Sequence, residues 1–241
     1  MMLAIFRNEV RAFLTSLVGY VVMGVFLTAI GLLLWVFPDT SLLNYGYAEL
    51  GQFFSLAPYV FLFLVPAITM RAFAEERRGG TLELLLTKPL TDWQLVVGKF
   101  LGCWFLILLT LLPTVVYYAT IYQLGNPVGN VDSAEVAGSY LGLWLLGGVF
   151  AAIGLFTSAL TDNQIVAFLL GVFACFLGYV GISALAGLDG LGGFGYVLGQ
   201  LGLDTQYSAL GRGLIDSRNV VYLLSWIALV LWLTRWRVGS R

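Results

Sequence analysis

Along the chain, long runs without charge alternate with short polar stretches. Five runs, 12–38, 50–70, 100–131, 136–161 and 163–188, hold no Asp, Glu, Lys or Arg. Each reaches the roughly 20 residues that a helix needs to cross a hydrocarbon core of about 30 Å. A sixth, 220–234, is shorter; Arg235 and Arg237 follow it, and their long stems can snorkel to the interface. The runs are continuous rather than alternating, which predicts helices and not barrel strands. The expected fold is an all-α integral membrane bundle of six transmembrane helices, at about 13–37, 53–70, 95–122, 138–160, 165–187 and 218–236.

Between the spans the pattern changes character. Leu3, Phe6, Val10 and Phe13 recur at helical spacing, with Arg7, Asn8 and Arg11 on the other side. This predicts an amphipathic helix over 1–12 lying in the interface; a plain basic flank that only sets topology is the simpler reading. In the loop 71–94, Arg71 and Glu75 are spaced i,i+4 and Glu75 and Arg78 i,i+3, so both pairs can brace a helix running on from span two. Gly79-Gly80 ends that helix, and Thr81 can cap a new one with Glu83 in its first turn. Pro89 stops it, leaving a short Leu-rich helix over about 82–87. So short a helix is unstable alone. It lies against the membrane, or it docks into a partner protein.

The segment 188–215 is crowded with glycines, among them Gly190, Gly192, Gly193, Gly195, Gly199 and Gly202, separated by apolar residues. It is too apolar for a free loop and too rich in glycine for a rigid helix. A re-entrant or membrane-capping pair of short helices suits it, with a flexible lid as the alternative. Pro58, Pro66 and Pro113 lie inside spans and are expected to kink them, and the spacings Gly98/Gly102 and Gly138/Gly142 allow close helix packing.

Composition removes other classes. The chain is 60% apolar and 10% charged with a mean hydropathy of +0.92, against about 45–50% and about 25% for soluble domains. A soluble globular domain, a disordered chain and a collagen are excluded. A net charge of −1 makes no electrostatic case for nucleic acid. Histidine is absent, and Cys103 and Cys175 sit in apolar runs as small buried hydrophobes. Arg7, Arg11, Arg71, Arg77, Arg78, Lys88, Lys99, Arg235, Arg237 and Arg241 all fall on one side of the six-span topology, which predicts cytoplasmic N and C termini. The first run is longer than a signal-peptide core and shows no small-residue cleavage site, so it is expected to stay as an anchor.

Several chemistries have no residues to carry them. No ionisable residue is expected deep within a span, which argues against an ion-coupled carrier. No phosphate-cradling Walker A loop is present: Gly98-Lys99 lacks its upstream glycine. Nothing in the sequence reads as a nucleophile or a metal site, so neither a cofactor nor enzymatic activity is expected of the chain itself. Asp162 and Asn163 read as a tight turn between two spans.

Glu76-Arg77-Arg78-Gly79-Gly80-Thr81-Leu82-Glu83, then Leu84-Leu85-Leu86-Thr87-Lys88-Pro89 and the downstream Gly98-Lys99, resemble the first cytoplasmic loop of type-2 ABC exporter permeases. Residues 161–168 and 212–218 also look like that family, and 61–99, 122–131 and 161–168 look most like its gliding-motility branch. The resemblance implies a six-helix permease working as a dimer or beside a related subunit in the bacterial inner membrane. It implies a separate cytoplasmic ABC ATPase, which would hold ATP and Mg, and a membrane-anchored partner with a large outer domain. Glu76, Arg77, Gly80, Thr81, Glu83, Leu84, Leu85, Thr87 and Pro89 would form the coupling interface with the ATPase, and Gly192, Gly193, Gly195 and Gly199 an outer gate. The alternative is a non-transporting anchor or scaffold of a motility or secretion machine.

Overall fold

In the computed structural model, residues 2–38, 40–42, 49–81, 91–187, 192–211 and 216–239 are described, with the backbone alone at 18 and 192–194. Helix α1 (Met2–Leu14) meets α2 (Leu17–Trp35) at an angle of 68°. Helix α3 (Gly51–Thr69) is followed, after Met70, by α4 (Arg71–Arg78). Then come α5 (Asp92–Leu111), a 3-10 turn at Leu112–Thr114, and α6 (Val115–Leu124). The long α7 (Ser133–Leu160) precedes α8 (Gln164–Phe176), which runs through a π turn at Leu177–Gly181 into α9 (Ile182–Ala186). Two short helices, α10 (Gly192–Leu201) and α11 (Leu203–Leu210), lead to α12 (Ser217–Gly239). Five stretches are long and apolar enough to cross a membrane: Gly51–Arg78, Asp92–Leu124, Ser133–Leu160, Gln164–Ala186 and Ser217–Gly239. The bent α1–α2 pair makes a sixth if counted as one span. The protein is an all-α, multi-pass membrane bundle.

Local chemistry places the boundaries. Thr91 and Gln94 form a reciprocal capping box at the start of α5. Asp132 caps α7 by accepting from the Ala134 and Glu135 amides, and Asn163 caps α8 through Ile165. Pro113 removes a backbone donor and the helix tightens there into the 3-10 turn. Helix α3 runs through both Pro58 and Pro66, and its end falls at Met70.

Helix α7 is the axis of the bundle, packed by α3, α4, α5, α8, α11 and α12. Its glycines make this approach close enough. A Cβ at Gly147 would lie 2.9 Å from Ile107 Cγ2, and one at Gly148 would lie 2.8 Å from Trp104 Nε1. At these glycines, van der Waals contact of the α7 backbone with side chains of neighbouring helices stands in for the hydrophobic drive that lipid cannot supply. Trp104 stacks on Trp144 at 4.2 Å and donates to the Trp144 carbonyl at 2.9 Å. At the end of the bundle where α1 begins and α12 finishes, the Arg235 guanidinium lies over the Trp93 ring. This end carries Arg7, Arg11, Arg71, Arg77, Arg78 and Arg237, and is termed the basic end.

Helix α1 packs along α5. Arg7, Asn8 and Arg11 are exposed, as the amphipathic pattern requires, but Leu3 is 75% exposed rather than part of the apolar face. The inward face instead centres on Ile5, Phe6 and Glu9, because the seat is made by glycines. A Cβ at Gly98 would stand 3.0 Å from Ile5 Cβ, and one at Gly102 would stand 2.8 Å from Glu9 Cβ. Gly102→Leu is therefore expected to lift α1 off α5 at a cost of about 1–3 kcal/mol. Faster hydrogen exchange across residues 2–14 in detergent would register the displacement; exchange equal to wild type would show that the glycine seat does not hold α1.

Candidate transmission site at the basic end

The joint between α3 and α4 is closed by a side chain from another helix. In an unbroken ladder the Phe73 and Ala74 amides would donate to the carbonyls of Thr69 and Met70. Here both donate to Ser158 Oγ of α7, each at 3.1 Å, and the Ser158 hydroxyl donates to the Met70 carbonyl at 2.9 Å. One hydroxyl thus fills its two acceptor positions and its single donor. Ser158 is fully buried, so these groups have no water to turn to. Gly154 opens the space for Thr69, whose hydroxyl turns back to the Val65 carbonyl at 3.0 Å.

Helix α4 leaves this joint with Ala72, Phe73 and Ala74 buried. Arg71 pairs with Glu75 at 3.1 Å and donates to Ser16 Oγ at 3.5 Å. Among the described residues Glu75 does not also bridge to Arg78, which is exposed. One turn on, Glu76 Oε1 lies 2.7 Å from Lys99 Nζ, and Lys99 Nζ lies 2.6 Å from Glu9 Oε1. The Lys99 ammonium also stands 5.3 Å from the centroid of the Phe73 ring. One cation thereby joins α1, α4 and α5.

Lys99, expected at the cytoplasmic start of span three, stands two turns into α5 and is only 1% exposed, buried by its neighbours. The two carboxylates neutralise it, and it in turn separates them; without the ammonium, two like charges would face each other in a poorly hydrated space. Glu76 Oε2 is buried and accepts no hydrogen bond among the described residues. A cavity of about 280 Å³ opens beside the cluster, lined by Asn8, Glu9, Ser16, Arg71, Glu76 and Lys99 among others. The arrangement joins three helices through one cation. Its contacts join α4 to α7 through Ser158 and to α1 and α5 through Lys99.

Of the residues expected at the coupling interface, Glu76 and Arg77 are half-buried near the end of α4. Gly80 adopts φ +66°, which glycine accommodates without strain, and the Thr81 hydroxyl donates to the Glu76 carbonyl at 3.2 Å, closing the end of α4. Glu83, Leu84, Leu85, Thr87 and Pro89 lie outside the described residues. Gly192, Gly193, Gly195 and Gly199 fall together on α10 at the opposite end of the bundle, where Gly195 is buried and a Cβ at Gly199 would meet Ala186 at 3.6 Å. There, a second cavity of about 300 Å³ is lined by Phe54, Tyr59, Glu135, Tyr179, Asp204 and Tyr207 among others.

Glu9, Lys99 and Ser158 are the residues that sequence reasoning missed. Two had a signal. Glu9 is the lone acid among the basic residues of α1, and Lys99 interrupts an apolar run between two glycines. Ser158 had none, since a serine within a small-residue helix reads like any other.

The profile of the ABC-2 family transporter proteins matches residues 38–194, which contain the α3–α4 joint, Lys99 and Ser158. Two curated relatives, each described as "Probable multidrug ABC transporter permease YbhR", come from Escherichia coli strain K12 and Escherichia coli O157:H7. Each is 34% identical over 109 residues, a stretch covering 45% of this chain and 28% of the relative.

Lys99→Met keeps the stem of the side chain but leaves Glu9 and Glu76 without their cation. The expected loss is about 3 kcal/mol of stability. Adding Glu9→Gln and Glu76→Gln to the same chain should recover part of it. Unfolding in a denaturing-detergent titration measures both; a single variant as stable as wild type would show that the cluster does not hold the three helices.

Proposed function

Because the chain belongs to the ABC-2 family of transporter proteins, we propose that it is the membrane-spanning permease subunit through which a separate ABC ATPase drives export or mechanical work. The observation that carries this reading is the mounting of α4. The helix leads into the segment 82–90 and is fastened to α7 by Ser158 and to α1 and α5 by Lys99. Force applied at that segment has a defined path into the bundle.

In this reading the basic end faces the cytoplasm of a bacterial cell and the chain lies in the inner membrane, with both termini inside. The ATPase holds ATP and Mg; this chain binds neither and carries out no hydrolysis. Residues 79–89 dock on the ATPase, with Gly80, Thr81, Glu83, Leu84, Leu85, Thr87 and Pro89 at the contact and Glu76 and Arg77 behind it. Closure of the ATPase moves the segment, α4 turns at the Met70 joint, and the spans shift as rigid bodies. A second copy of the chain, or a related subunit, supplies the other half of the pathway. Helix α10, with Gly192, Gly193, Gly195 and Gly199, closes its outer mouth.

The finer assignment is to the gliding-motility branch, where the chain resembles GldF. Its partners there are a GldA-like ATPase and a membrane-anchored GldG-like subunit bearing the large outer domain. The resemblance of residues 61–99 and 161–168 supports this branch. The description of the Escherichia coli relatives as multidrug permeases supports a small-molecule cargo instead.

Purification of the tagged chain from its native membrane in mild detergent, with mass spectrometry of stoichiometric partners, tests the assignment. An ABC ATPase is expected, lost or strongly reduced in Leu84→Asp and Leu85→Asp while membrane insertion is unaffected. A GldG-like protein in the same complex would select the motility branch. A chain recovered alone, or with partners indifferent to both substitutions, would replace the permease reading with that of a membrane scaffold.

A further inference from the structure

Span two carries a second borrowed hydrogen bond, at the end away from Ser158. Pro58 has no amide hydrogen, so the Phe54 carbonyl loses the donor that a helix would give it four residues on. The Tyr207 hydroxyl of α11 takes that place at 2.7 Å. Tyr207 and Phe54 are only 6% and 7% exposed, so the bond is largely shielded from solvent. The short helix pair is itself held together at its turn. The Tyr222 hydroxyl of α12 donates to the Leu201 carbonyl at 2.6 Å, and the Thr205 hydroxyl donates to the Gly199 carbonyl at 2.7 Å. A Cβ at Gly142 of α7 would lie 3.2 Å from Leu210 Cβ, so α11 is pressed on the axis helix as well.

We propose that Tyr207 is the positioning residue that latches the α10–α11 pair to span two, so that α3 acts as a rod between the Met70 joint at one end and the outer mouth at the other. This rests on the permease reading given above and extends it. Phe54 and Met70 stand at opposite ends of one helix, and each carries a backbone carbonyl that accepts a hydrogen bond from a side chain of another element. A shift of α3 along its axis therefore pulls on α7 through Ser158 and on α11 through Tyr207. The tyrosine bond is the only described hydrogen bond between α3 and α11, and its loss frees the outer pair from the rod while leaving the basic end untouched.

The test uses the assembled complex with its ATPase in membrane vesicles. Ser208 is exposed and lines the cavity beside Tyr207, and the native Cys103 and Cys175 are buried. Ser208→Cys, labelled by a membrane-impermeant maleimide, then reports on the outer mouth with and without trapped nucleotide. Labelling is expected to depend on nucleotide, and Tyr207→Phe should reduce that dependence about fivefold, the factor carried by one ordinary hydrogen bond. Pro58→Ala restores a backbone donor to the Phe54 carbonyl within α3. In the Tyr207→Phe, Pro58→Ala double variant, thermal stability should return while the nucleotide response stays reduced. A response that returns together with stability would show that Tyr207 only satisfies a carbonyl, and overturns the proposal. So would a Tyr207→Phe variant responding like the parent. Failure to recover the ATPase with the parent chain would instead overturn the permease reading, and the latch with it.

Discussion

Inside a hydrocarbon layer a backbone amide or carbonyl has no water to bond, so a helix there can be interrupted only where another group takes over. That constraint governs span two of this protein. At Met70 the helix ladder gives way, and Ser158 receives two amides and donates to one carbonyl. At Pro58 a donor is missing, and Tyr207 supplies it. The same helix is thus tied to two others by bonds it cannot make for itself. A break that would be costly in isolation becomes a point of attachment.

The buried ammonium follows a related logic with charge in place of the peptide group. An isolated lysine in this position would be driven out of the bundle or neutralised. Glu9 and Glu76 keep Lys99 ionised in place, and the demand is reciprocal, since each carboxylate also needs the cation. Because the three residues come from α1, α5 and α4, satisfying the charge fixes the seat of the N-terminal helix. Gly98 and Gly102 bring α1 near enough for the short ion pairs to form. Buried pairs of this kind specify an arrangement more than they add net stability.

In the proposed function these two attachments are the path by which an ATPase outside the chain would act on the bundle. Helix α4 is short, braced by Arg71 and Glu75, and held at both ends. The elements it touches include the axis helix α7, which packs on most of the bundle. One cavity at each end of the bundle is lined by charged and aromatic groups.

Local properties of the sequence were sufficient for much of this. Uncharged runs of the right length determine membrane helices, Gly79-Gly80 ends α4 through a positive φ at Gly80, and Thr91, Asp132 and Asn163 start helices by capping them. Membership of the family was legible in the loop around Glu76 to Pro89, because such a motif is contiguous. What remained illegible depends on residues far apart in the chain. Lys99 and Glu9 are 90 positions apart, Ser158 and Phe73 are 85, and Tyr207 and Phe54 are 153. Along the sequence Lys99 resembles a boundary charge, Ser158 a spacer and Pro58 a kink. Only the packing of helices against one another decides which charge is buried, which hydroxyl enters a ladder, and which carbonyl is left waiting for a donor. The reason is that burial, and with it the need for a partner, is a property of the assembled bundle and not of any one segment.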